Sequence, residues 1–174
     1  TGTDNVAIGS DSLKANTTGT RNTAVGKSAG ATMTTAEDNT FVGRQAGKAT
    51  TTGNSNTGMG KDALLSNTTG VDNVAIGRAS MEQNTTGSYN TAVGGYGTLD
   101  ANTTANNNTA IGAGVLTVNT TGANNTSVGA YSLDANTTGD ENVAVGYGAL
   151  SSNTTANYNV AVGKSALAAN TTGS

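Results

Sequence analysis

The sequence predicts an all-β fold, a parallel β-solenoid (β-roll) of ten 17-residue coils, and three observations support this prediction. A pentapeptide of the general form Asn-(Val/Thr)-small-(Ile/Val)-Gly recurs ten times at a nearly constant interval. The repeat is rich in Gly, Asn and Thr, which disfavour helices, and no stretch has apolar residues at helical spacing. Each repeat offers about 56 Å of contour at roughly 3.3 Å per residue, enough for one turn of a small solenoid.

The repeat covers the whole chain. All but one of the intervals between the first asparagines follow the 17-residue period, and the exception is the 18-residue interval from Asn90 to Asn108. The extra residue falls near Gly95 and Tyr96, where we expect a bulge to absorb it without changing the register. We therefore expect residues 1–174 to form a single repetitive domain that starts and ends within a repeat, as a slice of a longer shaft would.

Asparagine occupies position 1 of every repeat, and coils are numbered 1 to 10 from these residues. Stacked coils place equivalent side chains above one another at about 4.8 Å, and stacked asparagines can hydrogen-bond along such a column. The predicted asparagine ladder consists of Asn5, Asn22, Asn39, Asn56, Asn73, Asn90, Asn108, Asn125, Asn142 and Asn159.

Position 4 is apolar in every repeat and is therefore the predicted structural core. This predicted core ladder consists of Ile8, Val25, Val42, Met59, Ile76, Val93, Ile111, Val128, Val145 and Val162. Side chains alternate along a strand, so position 3 should then point outward. Its small apolar residues suggest packing against another chain, and the alternative is that alanine simply faces solvent. The candidate interchain residues are Ala7, Ala24, Phe41, Ala75, Ala92, Ala110, Ala144 and Ala161.

Position 5 is glycine in all ten repeats, which predicts a positive φ or a close backbone approach at a corner. These turn glycines are Gly9, Gly26, Gly43, Gly60, Gly77, Gly94, Gly112, Gly129, Gly146 and Gly163. Position 9 is Leu or Met except at Gly30 and Gly47. Since Met33 and Phe41 are larger than their counterparts in other repeats, we expect them to fill the space that the missing side chains leave.

The composition argues against most active sites. The chain has no Cys or His, so thiolate nucleophiles, imidazole bases and ordinary zinc ligands are absent. Carboxylates do not recur as a facing pair, and no phosphate-binding or calcium-binding loop motif is present. We therefore expect no enzyme activity, no catalytic residues, no cofactor and no metal. The formal charge of −3 argues against a nucleic-acid partner, and no apolar run is long enough for a membrane span.

Three surface patterns leave alternatives open. Basic residues recur at position 6, either as a solvated face or as a stripe that meets a polyanionic glycan. They are Lys27, Arg44, Lys61 and Arg78 in four successive coils, and then Lys164 after a gap. Thr-Thr occupies positions 13 and 14 of every repeat, which is an array that could bind ice or surface glycans, or could bond its own backbone. Asn-Thr-Thr also matches the N-glycosylation acceptor. The five tyrosines are scattered over several positions of the repeat, so we expect no stacking platform for sugars or bases.

The pentapeptides Asn-Val-Ala-Ile-Gly (5–9, 73–77) and Asn-Thr-Ala-Val-Gly (22–26, 90–94) resemble the head repeats of trimeric autotransporter adhesins, which are trimeric β-rolls. Residues 142–155 look more like the shaft repeats of phage tail fibres and related surface fibres. The resemblance implies a homotrimeric fibre shaft that is extracellular, on the cell surface or on a virion. It also implies end-to-end continuation with further repeats, and receptor or glycan binding by a distal tip outside this chain.

Overall fold

Ten three-residue strands, one in each coil, form a single parallel sheet. In the computed structural model, residues 2–173 are described, and these contain strands and turns but no helix. The sheet follows sequence order from the first strand to the last. The predicted all-β parallel solenoid is confirmed. The strands are β1 (Val6–Ile8), β2 (Thr23–Val25), β3 (Thr40–Val42), β4 (Thr57–Met59), β5 (Val74–Ile76), β6 (Thr91–Val93), β7 (Thr109–Ile111), β8 (Thr126–Val128), β9 (Val143–Val145) and β10 (Val160–Val162).

The strands pair in the register of the repeat. Ala75 lies opposite Ala92, and Ala92 lies opposite Ala110 in spite of the longer interval between them. The extra residue is absorbed after β6, where residues 94–97 form a bend rather than the regular turn. The insertion therefore leaves the sheet register intact, as expected.

The core lies on the side of the sheet opposite to the one predicted. Position 3 is buried from coil 2 onward, for example at Ala24, Ala75 and Ala144, while Ala7 in the first coil is exposed. Position 4 is half-buried or exposed: Ile8 is 60% and Val162 is 69% exposed. The predicted core ladder of Ile8, Val25, Val42, Met59, Ile76, Val93, Ile111, Val128, Val145 and Val162 is therefore wrong, and position 3 belongs to the chain's own core.

The reversed orientation follows from the narrow cross-section of the coil. Position 9 supplies the large core side chain, such as Leu64 and Leu116, which are fully buried. Both adopt left-handed backbone conformations, with φ of 53° and 50°. Because close-packed interiors have no room for a second large group, only a small residue fits across from leucine on the strand. The β-branched residues at position 4 are then left on the outside.

Coils 2 and 3 fill this core differently. Their position 9 is Gly30 and Gly47, and Phe41 and Met33 are both fully buried. A Cβ on Gly47 would overlap the Phe41 ring, and one on Gly30 would lie 2.7 Å from Met33 Sδ. The larger side chains therefore occupy the volume that leucine fills elsewhere, as the sequence predicted.

The position 5 glycines stack directly on one another. Their φ values lie between 121° and 153°, a region that other residues rarely adopt. A Cβ on Gly77 would lie 2.6 Å from the carbonyl carbon of Gly94 in the next coil. Glycine is thus required at this corner both by the backbone conformation and by the approach of the neighbouring coil.

Candidate functional site

A buried asparagine ladder runs along the solenoid at position 1. The Asn73 side-chain oxygen accepts hydrogen bonds from the Asn90 backbone N–H at 3.0 Å and from its side-chain amide at 3.2 Å. The Asn73 amide donates in turn to the Asn56 side-chain oxygen and to the Gly87 carbonyl. Each such asparagine thus joins its own coil to both neighbours and satisfies a buried backbone N–H just before the strand.

A second asparagine ladder, at position 12, runs from coil 4 onward. The Asn84 amide donates to the Asn67 side-chain oxygen at 2.8 Å, and the Asn102 amide donates to Asn84 at the same distance. Met33 and Thr50 interrupt this column in coils 2 and 3. As a consequence, Asn16 Oδ1 and Thr50 Oγ1 are buried without a hydrogen-bond partner among residues 2–173.

The outward side of the sheet carries two parallel rows of side chains. We define the outer β face as positions 2 and 4 of all coils, where Thr or Val lies beside Ile, Val or Met. Met59, Ile76 and Ile111 on this face are 42%, 37% and 40% exposed. The face is therefore a continuous, partly apolar strip along the solenoid.

Two residues of the basic column, Arg44 and Lys61, share one acidic neighbour, Asp62. Lys61 Nζ lies 3.1 Å and Arg44 Nη2 lies 3.7 Å from Asp62 Oδ2. Elsewhere, Arg21 bridges Asp38 and Glu37 of the next coil, with Nε to Asp38 Oδ1 at 2.6 Å. These hydrogen bonds hold the pKa of the Asp38 carboxyl below its usual range. The Arg21 pairs are about half exposed and contribute little stability, whereas the Asp62 side chain is largely buried beside its two cations.

The two threonines of each Thr-Thr pair have different environments. Most position 13 hydroxyls donate to the threonine carbonyl of the next coil, as Thr68 Oγ1 does to Thr85 at 3.0 Å. Position 14 threonines, such as Thr69 and Thr86, are exposed. The pair therefore presents one row of exposed hydroxyls, and the other row is engaged mainly with the backbone.

Tyr96 lies in the bend of the 18-residue interval and lines a groove with Tyr131, which in turn packs against Tyr147. Tyr131 and Tyr147 pack edge to face, with ring centroids 5.9 Å apart and an interplanar angle of 79°. Tyr96 and Tyr131 line one groove of about 530 Å³, together with Gly114, Thr117 and Asp134. The repeat numbering held a partial signal, because Tyr96 and Tyr131 share position 7 and Tyr147 occupies position 6, but it did not show the bend at residues 94–97.

Acidic side chains border the same region. Burial raises the pKa of Asp134 and of Asp100. The pKa of Glu82 is also raised, first by burial and then by the charge of Asp100. Glu82, Asp100 and Asp134 all occupy position 10, in coils 5, 6 and 8 respectively. Within residues 2–173, no group of three or more acidic side chains is arranged to hold a metal ion.

The fold and its ladders define this chain as a β-solenoid repeat protein. No protein-family model matches the chain, and no curated protein or solved structure is significantly similar to it. No helix suited to crossing a membrane occurs in the part of the chain that the structure describes.

Proposed function

We propose that this chain is the structural shaft of an extracellular or virion fibre, a stiff spacer that holds a receptor-binding tip at a distance. The observation that supports this most is the uninterrupted ladder: ten strands pair in register, and buried asparagines link each coil to the next. Ten coils at about 4.8 Å each give a rod roughly 48 Å long. Because every coil is bonded to its neighbours, such a rod has no internal hinge.

The shaft is proposed to be a homotrimer whose chains meet through the outer β face. The candidate interchain alanines are unsuitable, since all but Ala7 are buried within their own chain. Position 4 offers an apolar side chain in every coil at a constant spacing, which a parallel copy of the chain could match along its full length. End-to-end continuation with further repeats would extend the same interface.

Sedimentation equilibrium of the chain tests this assembly. We expect a particle of three times the 16.9 kDa chain mass. The variant Ile111→Asp, on the outer β face, should dissociate it, because the charge would be desolvated in the interface. Thr138→Asp on the exposed threonine row is the matched control and should leave the mass unchanged. A wild-type chain that stays monomeric at millimolar concentration would contradict the trimer.

Electron microscopy addresses the shaft role separately. Straight rods of constant width, whose length grows in proportion to the number of repeats in longer or shorter variants, would support a spacer. Rods that bend sharply at a fixed point would argue against it, because the proposal requires uniform stiffness.

The row of exposed position 14 threonines favours a second candidate, a threonine array that binds ice or surface glycans. It is the weaker proposal because the position 13 hydroxyls already donate to the backbone. A thermal-hysteresis assay separates the two. A spacer should give the buffer baseline, and hysteresis that is lost in Thr69→Val/Thr86→Val would favour the array.

A further inference from the structure

The 18-residue interval creates a gap in the lateral hydrogen bonding of the solenoid. In regular coils, the position 7 N–H donates to the position 6 carbonyl of the preceding coil, as Ala79 does to Lys61 at 2.9 Å and Tyr131 to Ala113 at 3.1 Å. Among the described residues, no such bond reaches the Arg78 carbonyl or leaves the Gly114 N–H. Unpaired backbone groups and an open surface therefore coincide beside the bend of coil 6.

Two grooves flank Tyr96 at this gap. The larger, of about 530 Å³, runs between Tyr96 and Tyr131 with Thr117 and Asp134 along it. The smaller, of about 320 Å³, lies on the other side of Tyr96 and is bordered by Arg78 and Asp100. Tyr96 is 83% and Tyr131 is 50% exposed, so aromatic surface is available to a ligand.

Small residues make this exposure possible. A Cβ on Gly114 would lie 2.9 Å from the Tyr131 ring, so the ring packs closely over that glycine. Tyr147 supports the same ring from the opposite side in coil 9. Tyr131 is therefore held in place before any ligand arrives, which lowers the entropy cost of binding.

We propose that this groove, lined by Tyr96, Thr117, Tyr131 and Asp134, binds a neutral oligosaccharide. Aromatic rings offer apolar faces to the C–H surface of a sugar ring, while a carboxylate accepts hydrogen bonds from sugar hydroxyls. The acidic residues at position 10 and the net charge of −3 disfavour phosphorylated, sulfated or carboxylated ligands. This activity goes beyond the shaft role, which stands whether or not the groove binds sugar.

Titration with soluble neutral hexasaccharides, namely cello-, malto-, chito- and mannohexaose, tests the proposal, with tyrosine fluorescence as the readout. We expect saturable binding of at least one of them. Tyr96→Ala should weaken it by about tenfold or more, the loss of one stacking contact. Tyr158→Ala is the matched control, because Tyr158 is 68% exposed and lies outside both grooves.

Deletion of Gly95 provides an independent variant. It restores the 17-residue interval and should close the groove while the solenoid keeps its β-type circular dichroism. Binding should then be lost in a folded protein. Asp134→Asn should weaken binding by about tenfold, the worth of a hydrogen bond to a charged group.

The pH dependence offers a further check. Because burial raises the pKa of Asp134, binding should weaken as the pH falls through that raised pKa. Four results would overturn the proposal: no saturable binding of any neutral hexasaccharide, equal losses in the Tyr96 and Tyr158 variants, full binding after deletion of Gly95, or a preference for a sulfated glycan such as chondroitin sulfate.

Discussion

Coils 2 and 3 differ from coils 4 and 5 in their cores, yet all four share one backbone path. In coils 4 and 5, Leu64 and Met81 fill the centre, whereas Phe41 and Met33 fill it in coils 2 and 3. The strand register and the position 5 glycines are the same in both regions. The core side chains are thus exchangeable when their volume is conserved, while the backbone corner and the first asparagine ladder are not.

The largest effect should come from the shared backbone corner. Gly43→Ala and Gly77→Ala should each destabilise the chain by more than about 3 kcal/mol, because the added methyl group meets the backbone of the next coil. Gly163→Ala is the control: its φ is 128°, but its only neighbour within 4 Å would be the Ala166 Cβ at 4.0 Å. Thermal unfolding measures the three variants. If Gly77→Ala and Gly163→Ala lose equal stability, then backbone strain, rather than contact with the next coil, explains why position 5 must be glycine.

The two kinds of core should be interchangeable by substitution. Phe41→Ala alone should cost about 3–5 kcal/mol through the cavity it leaves. Gly47→Leu alone should also be destabilising, since leucine must overlap the Phe41 ring. The double variant should be more stable than either single one, because it recreates the core of the regular coils. Chemical denaturation of all four proteins gives the coupling energy, and strictly additive losses would contradict the volume exchange.

The next largest loss of stability is expected when one link of the first asparagine ladder is removed. Asn73→Ala leaves the buried Asn90 N–H without an acceptor and should cost about 2–3 kcal/mol. Asn54→Ala is the matched control, because Asn54 is exposed and water can replace its bond to the Glu37 N–H. Urea unfolding compares the pair. If Asn73→Ala lowers the free energy of unfolding no more than Asn54→Ala does, the asparagine ladder does not stabilise the fold.

The smallest expected effect is a gain in stability from one substitution in coil 3. Thr50→Asn should restore a link of the second ladder, because the new side-chain oxygen could accept from the Asn67 amide and the buried Thr50 hydroxyl lacks a partner. We expect a stabilisation of about 0.5–1.5 kcal/mol, the net worth of one hydrogen bond. Calorimetry provides the measurement. Destabilisation would indicate that coil 3 is too tightly packed around Phe41 to accept asparagine.

The period of the sequence was sufficient to predict the coil, its register and the stacking of equivalent residues. Strictly periodic asparagine and glycine leave few other ways to satisfy the backbone, so the ladder and the corner followed from Asn73, Gly77 and their equivalents. The filling of coils 2 and 3 by Met33 and Phe41 was also predictable, because large residues appeared where leucine was missing.

The side of the strand that faces the core was not predictable in the same way. A three-residue strand gives too short an alternation to fix its orientation, and size suggested Ile76 rather than Ala75 for the interior. The position 9 leucine reaches into the core from a left-handed turn. The small volume that it leaves determines that alanine, and not the larger position 4 residue, faces inward. The Tyr96 groove was likewise hidden, because it depends on how one inserted residue displaces the turn in space.

A nuclear Overhauser spectrum of the isotope-labelled chain tests the central claim, the in-register stacking of successive coils. We predict backbone contacts between Ala75 and Ala92, across a regular repeat, and between Ala92 and Ala110, across the longer one. Contacts between Ala92 and residues three or four positions away, or strand pairs that run antiparallel, would contradict the stacked solenoid.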